Sequence, residues 1–170
     1  IALGFSETPD ADWCRTAQKA LHAGADFSAL ISDSGLSLDL SALVPFAHWR
    51  PKHKERRVFD TRFYIARARE DVGDPFVDAT ENVLSYWTSA QRMLAAADAG
   101  ETKVIFPTRR NLEKLALCPT FDSAVTHAAD FPPRMISPWQ EDRDGEPWLC
   151  IPDDLGYPIT AEPLRLMTRG

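Results

Sequence analysis

Pro45-Phe46-Ala47-His48-Trp49, followed after a short basic connection by Arg57-Val58-Phe59-Asp60-Thr61-Arg62-Phe63-Tyr64, is the stretch on which the fold turns. From Leu43 the side chains alternate. Val44, Phe46 and His48 fall on one face and Pro45, Ala47 and Trp49 on the other, which predicts a strand closed by Pro51. Lys52 to Arg57 is polar and basic. Alternation then resumes, with Phe59, Thr61, Phe63 and Ile65 on one side and Asp60, Arg62 and Tyr64 on the other. Two strands joined by so short a loop predict an antiparallel pair.

Upstream, Thr8-Pro9 predicts a helix start, since proline in the first turn gives up an N–H that has no partner there anyway. Trp13, Ala17, Ala20 and Leu21 recur on one helical face, and Gly24 stops the run. A second short helix carries Phe27, Leu30 and Ile31 and ends at Gly35. Downstream, Val83 to Trp87 predicts a third strand. Thr88 and Gln91 have the spacing of a capping box for a helix reaching about Gly100. Val104-Ile105-Phe106 is a short strand candidate, and Thr108 is placed to cap a helix bearing Leu112, Leu115 and Ala116. A further helix spans Ser123 to Ala129. Met135-Ile136 and Trp148 to Ile151 flank an acidic loop with Asp144-Gly145, which predicts a late hairpin. Residues 153–170 suggest an irregular tail. Strands interleaved with helices make the fold class α/β or α+β, a mixed sheet between helices in a single domain over 1–170.

The composition narrows the function. A chain of 170 residues that is 44% apolar is large enough for one core and too apolar to be disordered. A net charge of -6 argues against nucleic acid or an anionic membrane as partner. Three widely spaced cysteines, Cys14, Cys118 and Cys150, make neither a disulfide framework nor a zinc pattern, and predict free thiols in a reducing, cytoplasmic setting. The histidines His22, His48, His53 and His127 lack metal-ligand spacing. Neither a Gly-rich phosphate loop nor a Gly-x-Ser-x-Gly elbow is present.

With those residues in view, the chain resembles the Nudix hydrolases, in the branch of the peroxisomal coenzyme A diphosphatases and their bacterial relatives. That branch carries a Phe-x-x-Trp strand and then Arg-Arg-Phe-Asp-Thr-Arg-Phe-Phe. Here Phe46-Ala47-His48-Trp49 precedes Arg56-Arg57-Val58-Phe59-Asp60-Thr61-Arg62-Phe63-Tyr64, with Val58 as an extra residue. Glu81 and Trp87 follow in order, although Ser89 stands where the branch has proline. Phe106-Pro107-Thr108, Pro133-Arg134 and Pro152-Asp153 fit the later layout, so the resemblance runs from about Leu36 onward.

The resemblance implies hydrolysis of the phosphoanhydride in a nucleoside diphosphate-linked small molecule such as coenzyme A or acyl-CoA. It also implies Mg2+ or Mn2+ as cofactor, and a homodimer is common in the family. The family's metal-binding signature, a glycine and glutamate followed by Arg-Glu-U-x-Glu-Glu-x-Gly-U with U aliphatic, has no counterpart in these residues. Its strand, loop and helix are expected upstream of Ile1, with Ile1 as the last aliphatic, and the chain alone is expected to be inactive. Glu81 corresponds to an extra catalytic acid of some members, or is a solvated loop acid. Arg57 and Arg62 suit phosphate oxygens, unless Arg62 pairs with Asp60. Trp49 and Phe59 would stack on an adenine, or serve the core. A non-catalytic Nudix-like module that binds a nucleotide or protein, or an unrelated α/β scaffold, are the competing readings.

Overall fold

A computed structural model describes residues 5–51, 58–68, 77 and 84–167. The chain separates into two compact units, 1–44 with 65–85, and 45–64 with 86–170.

The first unit holds α1 (Ala11–His22), α2 (Phe27–Ser34) and a 3-10 turn (Leu40–Ala42). α1 begins later than Thr8-Pro9 suggests. Asp10 is the cap, its carboxylate accepting from the backbone N–H groups of Asp12 and Trp13, and a carboxylate also suits the positive end of the helix dipole. Gly35 closes α2 in the left-handed region, at φ +71°, where a Cβ would be strained. Phe5 bridges to Leu38, and its ring meets Trp13 edge to face at 5.7 Å.

The second unit carries β1 (Val44–Trp49) and β2 (Thr61–Ile65) except for their terminal residues Val44 and Ile65. β1 is the middle strand of a three-stranded sheet in the order β2-β1-β3. β3 (Met135–Ile136) runs parallel to β1, with His48 opposite Met135 and Trp49 opposite Ile136. Met135-Ile136 is therefore not part of the late hairpin. That hairpin joins β4 (Trp139–Arg143) to β5 (Glu146–Cys150). Asp144 and Gly145 turn it at φ 55° and 82°, the positive pair that a two-residue turn of matching twist demands. β6 (Ala161–Pro163) adds antiparallel to β5 and leads into α6 (Leu164–Met167). Ordered elements thus occupy part of the segment that its prolines mark as irregular, and Leu155 and Tyr157 are buried.

The remaining helices are α3 (Ala90–Asp98), α4 (Phe106–Ala116) and α5 (Phe121–Asp130). Ser89, not Thr88, caps α3 through the Arg92 N–H. Val83 lies outside the described residues. Leu84 to Trp87 forms no strand, and Leu84, Tyr86 and Trp87 are exposed. Val104-Ile105 is also not a strand. Pro107 in the first turn starts α4 at Phe106, which puts Thr108 inside the helix rather than at its cap. α5 opens on a capping box between Thr120 and Ser123. The architecture is α+β, with two small sheets and helices, consistent with a Nudix-like fold.

Candidate functional site

β1 and β2 bring together residues that lie 12 apart in sequence. His48 is held by Asp60, with Nε2 2.5 Å from Oδ1, the two side chains being 22% and 47% exposed. Asp60 just precedes β2, and adjacency of the strands in the sheet makes the contact. The hydrogen bond from His48 holds the Asp60 carboxyl below its ordinary value, assisted by the positive charges of His48, Arg62 and Arg50. Asp60's direct partner is therefore the histidine, while Arg62 acts on it through its charge. Arg62 is exposed and Phe59 is 68% exposed, so both present surface to solvent. Arg57 and Glu81 lie outside the described residues.

Trp49 needs a correction, because it offers no stacking face. It is 1% exposed and meets Phe106 and Tyr157 edge to face at 6.0 and 5.9 Å. Its indole Nε1 donates to Asn111 Oδ1 at 3.1 Å, and the Tyr157 hydroxyl donates to the same oxygen at 3.0 Å. The indole is consumed by the core, with its polar edge satisfied. Burial pushes the Tyr157 hydroxyl up to about 12.

The acceptor for that tryptophan comes from α4, whose buried face is charged. Leu112, Leu115 and Ala116 are half-buried, whereas Phe106, Arg110, Asn111, Glu113 and Lys114 are buried. Arg110 donates to Glu113 at 3.0 Å and to Glu162 of β6 at 3.1 Å, with its guanidinium 5.1 Å from the Phe106 ring. Arg109 reaches Asp98 at 2.6 Å and lies 3.2 Å from Glu113. Burial lifts Glu113 and lowers Arg110 relative to their ordinary values, while the attraction between them opposes both shifts. Lys114 donates to the Phe46 carbonyl at 3.3 Å and lies about 5 Å from the Phe46 and Tyr157 rings. These are packing and pairing roles. The spacing 106, 110, 113, 114 is helical; only the polarity of its residues hides it from a hydrophobicity reading.

Beside this network, Thr102, Ile105, Phe106, Arg109, Glu162 and Leu166 help line a cavity of about 490 Å³. Among the described residues no group of three or more His, Cys, Asp or Glu is placed to hold a metal ion. The described residues therefore do not fit a magnesium or manganese site. Among them, too, no helix is long and apolar enough to cross a membrane. All three cysteines are free, and Cys150 is the buried one.

Set against known proteins, the chain is similar to the crystal structure of a Nudix hydrolase from Alicyclobacillus acidocaldarius. The two share 30% identity at a TM-score of 0.59, over 65% of this chain. The match spans 50% of that structure's own length. Neither the family models nor the curated proteins gave a match. A structural neighbour of this chain is thus a Nudix hydrolase, which supports the Nudix superfamily and a hydrolase as its general class.

Proposed function

We propose that this chain is part of a Nudix-type hydrolase that cleaves the phosphoanhydride of a nucleoside diphosphate-linked small molecule, coenzyme A or acyl-CoA being the first substrates to try. The observation that carries this reading is the likeness in both fold and sequence to a Nudix hydrolase. It is supported by the ordered motif from Phe46 to Tyr64, which supplies β1, β2 and the exposed Arg62 and Phe59. In this reading Arg57 and Arg62 contact phosphate oxygens, Phe59 lies against the nucleoside, and Glu81 is an additional acid. A divalent cation, bound by a Nudix box that these 170 residues do not contain, would offset the charge on the diphosphate and acidify water. A small-molecule substrate, no nucleic acid or membrane partner, a homodimer and a cytoplasmic location belong to the same proposal.

The test incubates the full-length protein, with an intact box, with magnesium and coenzyme A, acyl-CoA, NADH or ADP-ribose. Cleavage at the phosphoanhydride of one of them is the expected result. No cleavage of any would overturn the proposal. It would favour instead a Nudix-like module that binds without cleaving.

A further inference from the structure

We draw no further inference here: the strongest candidate, the cavity of about 490 Å³ that Asp98, Ile105, Arg109, Glu162 and Leu166 help line where the end of α3, the first turn of α4 and β6–α6 meet, has its arginine already paired with Asp98 and Glu113 and its Glu162 already paired with Arg110, so nothing in the structure shows what would fill it.

Discussion

Replacing Trp49 separates a core role from a ligand-stacking role, and the structure sets the scale of the effect. Trp49 is 1% exposed, contacts two aromatic rings edge to face and donates one buried hydrogen bond. Truncating a buried aromatic residue to alanine costs about 3–5 kcal/mol, and the two ring contacts place Trp49→Ala toward the upper end of that range. Trp49→Phe keeps one ring and loses the indole N–H. Asn111 Oδ1 still accepts from the Tyr157 hydroxyl, so no acceptor is orphaned, and the cost falls to about 1–3 kcal/mol for the smaller ring and one lost hydrogen bond. Urea unfolding of the wild type and both variants, compared at equal m-value, measures these differences. A Trp49→Ala variant within about 1 kcal/mol of the wild type would refute the core assignment. Trp49→Phe as costly as Trp49→Ala would show that the packing argument misjudges which part of the ring matters.

Other expectations follow from the same packing. Gly156 has φ +72°, and an added Cβ would lie 2.7 Å from both the His127 and Phe131 rings. Gly156→Ala should therefore cost about 2–4 kcal/mol in urea unfolding, as backbone strain and overpacking combine. Gly145→Ala, with open space around it, should cost less. Tyr157, pushed up to about 12 by burial, keeps its proton in the folded state over a range where the unfolded chain loses it. The folded state then binds more protons between about pH 10 and 12, so this residue's contribution falls by about 2–3 kcal/mol as pH rises through that window. Tyr157→Phe should remove that component from the alkaline stability profile. Glu113→Ala would leave Arg110 with Glu162 as its one carboxylate partner and strip Arg109 of a neighbour, at a cost of about 3–5 kcal/mol if the pairing behaves as a buried one. A thermal midpoint equal to that of wild type would contradict it.

Local signals located most helices, β1 and β2. The first-turn proline of α4, the left-handed glycine after α2 and the Asp144-Gly145 turn act over a few residues, and each appears in the structure within a few residues of its signal. Boundaries slipped where two capping residues competed, as with Thr8 against Asp10 and Thr88 against Ser89. Apolar content misled at Leu84 to Trp87 and at Val104-Ile105, because a strand needs a ladder partner and hydrophobicity does not supply one. The site was less legible. Arg62 and Phe59 are exposed and Trp49 is buried, while Arg57 and Glu81 lie outside the described residues. The His48–Asp60 pair escaped notice because each member was read against its own strand.

The sequence by itself determined where helices start and stop, the strand alternation around Phe46 to Ile65 and the ordered motif that resembles a hydrolase family, since all of these are encoded by residues near one another along the chain. Only the tertiary structure decided that Met135-Ile136 pairs with β1, that α4 turns Arg110, Glu113 and Lys114 inward, and that Asp60 reaches His48. The physical reason is that burial of a charge, and the partner of a strand, depend on what distant segments bring to the same place. No local pattern carries that information.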